Sequence, residues 1–334
     1  MKKSYYLFNP GRLSRKDNTL KFTPVDEDGV EGKPKYIPVE GVSNLFVFGS
    51  LDANSALYIF MGKKEISVHF FDYYEHYSGS FYPKEYLQAG RVLVAQTEHY
   101  LHDDKRLRIA KSFIEGAAFN MLKNLKYYQN RDRSLEAPIA QITEYAQSIS
   151  YCHAVDELMG LEGNIRQTYY STFEHIMPGF DWIKRSKQPP TNELNALVSF
   201  GNMMCYTLCM DQIYHTQLNP TISYLHEPGE RRFSLALDLA EIFKPLLVDR
   251  TIFRMINKKE IQKSDFDQKT NYITLKEGGR KAFVRAWEDR LGETIKHRSL
   301  KRSVSYKYLV KLECYKLSKH ILGIEDFQPF KAWW

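Results

Sequence analysis

The stretch from Ser223 to Arg250, SYLHEPGERRFSLALDLAEIFKPLLVDR, holds the residues whose types and spacing point most directly to chemistry. It reads as a turn around Pro228-Gly229 followed by an apolar helix, and two carboxylates, Asp238 and Glu241, sit inside that helix. Residues three apart project from one helical face, while Leu235, Leu237, Leu239, Ile242 and Phe243 fill most of the rest. Unpaired carboxylates in apolar surroundings are costly, and a divalent cation is one partner that holds two of them ionised. His226 lies 12 residues before Asp238, in the turn that leads into the helix, so its imidazole can swing toward the same point. A third carboxylate, Glu162, stands between Gly160 and Gly163, which permit close approach of backbone or phosphate. Spacing alone does not bring Glu162 to His226. Taken without further context, the set also reads as a buried hydrogen-bond network with no metal.

Three motifs run through this region in a fixed order. The first is Glu162-Gly163 with Arg166 and Tyr169-Tyr170. The second is Asn195-Ala196-Leu197 with Phe200-Gly201-Asn202 and Tyr206, and the third is His226 with Ser234 to Glu241, SLALDLAE. Upstream stand Gln88-Ala89-Gly90-Arg91 and Arg108-Ile109-Ala110-Lys111, leading on to Asn130-Arg131. Together they resemble the CRISPR-associated integrase family called CRISPR-associated protein one, over most of the chain. The resemblance implies a metal held by Glu162, His226 and Glu241, with Asp238 beside it as an additional carboxylate and Lys244 near phosphate. It also implies a homodimer that assembles with the small CRISPR-associated protein two and inserts short foreign DNA, or spacers, into a CRISPR array. The family commonly has Asp where Glu241 stands, a departure that keeps charge and denticity and lengthens the side chain.

One imidazole and two carboxylates leave octahedral positions open, which suits Mg2+ or Mn2+, the nitrogen tilting preference toward Mn2+. A metal in such a site makes a water or a DNA 3′-hydroxyl a better nucleophile and neutralises charge on the phosphate. Water gives hydrolysis and a 3′-hydroxyl gives strand joining. No separate general base is evident.

The elements that must position these residues fall into two textures. From Ser4 to about Pro83, short aromatic and β-branched stretches alternate with turn residues, predicting strands at Ser4 to Phe8, Thr19 to Thr23, Asn44 to Phe48 and Ile66 to Phe71. One helix is predicted over Asp52 to Met61. From Ala89 onward apolar residues recur at three- and four-residue spacing, which is helical periodicity. Breaks are expected at Asn130 to Glu136, at Pro178 to Asn192 and at Asn219-Pro220. The expected class is therefore α+β: a small β-rich N-terminal domain, residues 1–85, serving dimerisation and partner contacts, then a larger all-α catalytic domain, residues 86–334.

Length and composition agree, since 334 residues exceed what one core usually supports. With 43% apolar and 26% charged residues the chain is of ordinary globular composition. No apolar run reaches the roughly 18 residues that span a bilayer, and the opening MKKSYYLFNPGRL lacks a signal-peptide core. A soluble cytoplasmic protein with no membrane partner is expected. Cys152, Cys205, Cys209 and Cys314 form no CxxC pair, which fits free thiols packed as small core residues.

Charge is unevenly placed. Of 47 Lys+Arg and 40 Asp+Glu, residues 251–334 hold 19 and 10, leaving 28 and 30 for residues 1–250. The whole positive excess lies in the last quarter of the chain, and a polyanion is its natural partner. Lys296 to Lys319 interleaves basic residues, Lys301 and Arg302 among them, with Tyr306, Tyr308 and Tyr315, a pattern that tracks a DNA backbone or else forms a solvated helix face. Arg231 and Arg232, just before the carboxylate helix, are placed to grip the scissile strand. The expected partners are double-stranded and branched DNA.

Other chemistries are excluded or set aside. His226-Glu227 is followed by Pro228-Gly229 and has no second histidine four residues on, so it is no zinc-protease motif. No GxxxxGK[ST] or GxGxxG is present. His99 to Asp104 reads as a polar helix end. Two rival functions remain: a non-catalytic DNA-binding scaffold, and a general nuclease of branched repair intermediates.

Overall fold

The computed structural model describes residues 2–72, 74–83, 87, 89–131, 134–182, 184–186, 189–229, 233–268 and 272–333. Its contacts divide the chain into two units, Met1–Tyr86 and Leu87–Trp334.

The first unit is built from β1 (Lys3–Leu7), β2 (Gly11–Lys16), β3 (Thr19–Pro24), β4 (Lys35–Pro38), β5 (Val42–Val47), β6 (Leu51–Asp52), α1 (Ser55–Lys63), β7 (Ser67–Phe71) and β8 (Tyr77–Phe81). One sheet runs β1-β5-β7-β8, with β1, β5 and β7 parallel and β8 antiparallel to β7. The other runs β4-β3-β2-β6. Its β2–β3 hairpin turns through Asp17 and Asn18, and Asp17 takes the left-handed φ of 53° that such a two-residue turn requires. Leu7, Leu45 and Val68 of the first sheet, Leu13, Leu20 and Phe22 of the second, and Leu57, Phe60 and Met61 of α1 form one buried core. The β-branched and aromatic stretches predicted as strands are β1, β3, β5 and β7. The helix begins three residues later than expected because Asn54 caps it, its side chain accepting from the Leu57 N–H at 3.0 Å.

The second unit contains α2 (Gly90–Leu101), α3 (Asp103–Gln129), α4 (Glu136–Ser148), α5 (Val155–Ser171), α6 (Phe173–Ile176), α7 (Glu193–Tyr214), α8 (Ser234–Lys244), α9 (Arg250–Asn257), β9 (Phe266–Gln268), β10 (Ile273–Leu275), α10 (Glu277–Gly292), β11 (Thr294–Lys296), β12 (Ser303–Ser305) and α11 (Tyr306–Ile321). An all-α domain was expected, and here the expectation is corrected. Two short antiparallel pairs, β9–β10 and β11–β12, interrupt the helices. Each strand is three residues long, too short for period-two alternation to stand out from helical periodicity. The unit is predominantly helical, and no helix among the described residues is long and apolar enough to cross a membrane.

Helix α7 is buried on nearly every side, from Leu194 to Ile213, which makes it the axis of this unit. Asn192 caps its start, accepting from Asn195 N at 2.8 Å. A Cβ at its Gly201 would lie 2.4 Å from Val248 Cγ1, so only glycine lets the segment after α8 pack this closely. That segment, Pro245–Asp249, is a π-helical turn that joins α8 to α9 without a break. Pro245 has no N–H to give back to the carbonyl of Glu241, and the chain widens there rather than continuing as a regular α-helix.

Candidate active site

Helix α5 carries Glu162 and Arg166 one turn apart, and α8 carries Asp238, Glu241 and Lys244. The i,i+4 spacing puts Glu162 and Arg166 on one face, and they form an ion pair from Nε to Oε1. The same guanidinium reaches across to Glu241, Nη2 to Oε2. Lys244 Nζ meets the other oxygen of Glu241 at 2.7 Å. Two carboxylates from different helices thus converge on one cationic group, in a place where the Glu241 side chain is only 4% exposed. Burial pushes the Lys244 ammonium down to about 8, with the Arg166 charge acting in the same direction.

His226 and Asp238 form a second pair. Asp238 is fully buried, and its Oδ1 takes the His226 Nδ1 at 2.8 Å and the His226 backbone N–H at 3.0 Å. Its Oδ2 accepts from the backbone N–H groups of Tyr224 at 2.7 Å and Leu225 at 3.0 Å. The turn is also gripped from α3: Arg106 donates to the Tyr224 carbonyl at 3.0 Å and pairs with Glu227 at 2.5 Å, holding the Glu227 carboxyl below its usual range. An ionised carboxylate only accepts, so the Nδ1 proton of His226 points at Asp238 and the Nε2 lone pair remains for another partner.

The sequence-predicted residues are therefore brought together in two groups. Glu162 joins Glu241 through Arg166, and His226 joins Asp238. Among the described residues no three His, Cys, Asp or Glu side chains gather closely enough to enclose a metal ion. The donor set nevertheless fits a cation, because two carboxylates, Glu241 buried and Glu162 partly buried, already share one positive group. Asp238, expected as an additional ligand, has both oxygens occupied by N–H donors. Arg231 and Arg232 lie outside the described residues. Lys301 and Arg302 are exposed at the β11–β12 turn, where Lys301 has a φ of 51° and the Arg302 guanidinium lies 5.6 Å from the Tyr308 ring centre. His99 hydrogen-bonds through Nδ1 with the Ala95 carbonyl at 2.9 Å, the structural use expected of it.

Two arginines near the site were not expected there. Arg166 stood in the first motif without a role, although its spacing from Glu162 was the available signal. Arg185 lies in the irregular stretch before α7 and donates to Asn195 Oδ1 at 2.9 Å and Ser199 Oγ at 3.0 Å. Burial lowers its pKa, and the neighbouring Arg166 charge adds to that. No periodic signal marks such a loop residue.

Residues 5–289 match the family model described as CRISPR associated protein Cas1. The chain belongs to this family. The CRISPR-associated endonuclease Cas1 2 of Moorella thermoacetica is 48% identical over 332 residues, covering 99% of this chain and 100% of that protein. A solved Cas1 protein from Thermotoga maritima shares 40% identity at a TM-score of 0.85, covering 97% of this chain and 98% of its own. A casposase bound to integration product superimposes with a TM-score of 0.87 over 100% of this chain and 95% of that one, at 18% identity, and so shares the fold. The resemblance carried by the three motifs is confirmed, and with it the assignment as a CRISPR-associated endonuclease of the Cas1 family.

Proposed function

We propose that this Cas1-family endonuclease is metal-dependent and acts as an integrase, cutting and rejoining DNA phosphodiesters to insert spacers into a CRISPR array. The observation that carries the reading is the convergence of Glu162 and Glu241, from α5 and α8, on the single, partly buried guanidinium of Arg166. Glu162, Glu241 and His226 are the residues that would hold Mg2+ or Mn2+. Such a cation supplies charge neutralisation at the scissile phosphate and activates a water or 3′-hydroxyl nucleophile.

The protein's own residues do the positioning. Asp238 fixes the tautomer and rotation of the His226 ring, the role outer carboxylates play beside ligand histidines. Arg166 and Lys244 keep Glu241 ionised in its buried setting. Lys301 and Arg302, with Arg231 and Arg232, supply contacts to double-stranded or branched DNA that follow the phosphates rather than the bases. The β-rich unit serves dimerisation and contact with CRISPR-associated protein two, and the helical unit serves catalysis.

The deciding experiment is cleavage and strand joining of branched and array-mimicking DNA with Mn2+, comparing wild type with His226→Ala after circular dichroism confirms that both fold. Loss of reaction in the variant with DNA binding retained supports the reading. Wild-type protein that binds DNA and reacts with no divalent metal is instead a scaffold, and the reading fails.

A further inference from the structure

Two asparagines of α3, one turn apart, face the end of α8. Asn120 and Asn124 are both buried. Asn124 uses its whole amide: Nδ2 donates to the Tyr169 hydroxyl at 2.9 Å and to the Pro245 carbonyl at 2.7 Å, and Oδ1 accepts from Arg250 Nε at 2.7 Å. Asn120 donates from Nδ2 to the carbonyls of Ile242 and Phe330, both at 3.0 Å, and accepts from Ala332 N at 2.9 Å.

The partners of Asn124 explain why this matters. Tyr169 lies two helical turns beyond Glu162 on α5, and Pro245 lies one turn beyond Glu241, where α8 gives way to the π-helical turn. One amide is therefore bonded to both helices that carry the converging carboxylates. Asp249, on the same π-helical turn, stands near enough to the Tyr169 hydroxyl for the two groups to influence each other electrostatically. Apolar packing between α3 and α8 constrains their separation and allows small slides; hydrogen bonds with fixed donor and acceptor directions do not.

We propose that Asn124 is a positioning residue of the endonuclease, setting α5 against α8 so that Glu162 and Glu241 address one cation. This rests on the metal-dependent reading above. Asn120 does the corresponding work between α8 and the segment around Phe330.

The test is Asn124→Asp, which keeps the shape and the acceptor for Arg250 and removes both donations. Four quantities are measured against wild type: thermal stability, DNA affinity in EDTA, Mn2+ affinity from the EPR signal of free Mn2+, and kcat and KM on branched DNA. Mn2+ affinity and kcat are expected to fall roughly tenfold or more, the scale of lost supporting contacts at metal sites, while KM and DNA affinity in EDTA hold. Tyr169→Phe, which removes the hydroxyl that links Asn124 to α5 and leaves the bond to Pro245, should show a smaller loss in the same two quantities.

Unchanged Mn2+ affinity and kcat in a folded Asn124→Asp protein overturn the proposal, as does an equal loss of DNA affinity in EDTA, which would mark a general structural role. If Asn124→Asp does not fold, wild-type values in Tyr169→Phe overturn it. Wild-type protein that neither binds Mn2+ nor cleaves sinks the metal-dependent reading itself, and the positioning role falls with it. Active wild type with unaltered variants sinks the positioning role alone.

Discussion

Asp238 Oδ1 and His226 Nδ1 meet at 2.8 Å, and the same carboxylate takes three backbone N–H groups of the turn that carries the histidine. Ring and turn are thus fixed by one side chain. Asp238→Asn places an amide donor where N–H groups already point, so at least one donor loses its acceptor. Activity should drop by about 10- to 100-fold, the usual loss when a group supporting a ligand histidine is removed. Stability should fall by about 1–3 kcal/mol for the orphaned buried donor. Cleavage assays and urea melts check both; wild-type cleavage would mean that the ring orientation is set elsewhere.

Arg166 bridges Glu162 and Glu241, so Arg166→Gln leaves two carboxylates facing each other with Lys244 as their nearby cation. Breaking a buried pair by removing one partner costs about 3–5 kcal/mol. In EDTA the variant should melt well below wild type, and Mn2+ should raise its melting temperature by more than it raises that of wild type. An identical Mn2+ effect in both proteins counts against cation binding by this carboxylate pair.

Burial pushes the Asp249 carboxyl up to about 7 from an ordinary 3.8, against the opposing Arg166 charge. The folded state favours the protonated acid, so its stabilising contribution is full below about pH 4 and is lost as pH rises through about 7. Asp249→Asn cannot ionise. Its stability relative to wild type should therefore grow between pH 4 and pH 8 by a few kcal/mol, at about 1.4 kcal/mol for each tenfold difference in proton affinity between the folded and unfolded chain. Paired denaturation curves across that range test it, and parallel pH profiles would rule it out.

The exposed turn between β11 and β12 bears Lys301 and Arg302. If both contact phosphates, replacing them by Gln makes the log–log salt dependence of DNA affinity shallower by up to about 2, at roughly 0.9 for each phosphate neutralised. Sequence preference should not change. An unaltered slope would assign both residues to solvent.

Much of this was readable in the chain and some was not, for identifiable reasons. The strands with apolar residues facing the core, such as Val42–Val47, stood out, whereas Gly11–Lys16 is a strand with a largely exposed, basic face and did not. Asp238 and Glu241 drew attention as acids inside an apolar helix. Their different partners did not, because these depend on which donors surround each one. That both oxygens of Asp238 accept from the turn emerges only once the backbone of residues 224–226 is in place. Asn120 and Asn124 looked like ordinary polar residues of a long helix, since all their partners except Tyr169 are more than a hundred positions away.

The grip of α3 on the carbonyls of Ile242 and Pro245 also bears on how the gene can vary. A helix held only by side-chain packing can absorb a length change by rotating. Inserting or deleting one codon within α8 would turn the residues beyond it by about 100° and carry Glu241 out of line with Asp238 or Pro245 out of line with Asn124. From Ser234 to Arg250 the reading frame should thus tolerate substitution far better than any change in length, and indels in related genes should collect in the turn before it, around Pro228-Gly229.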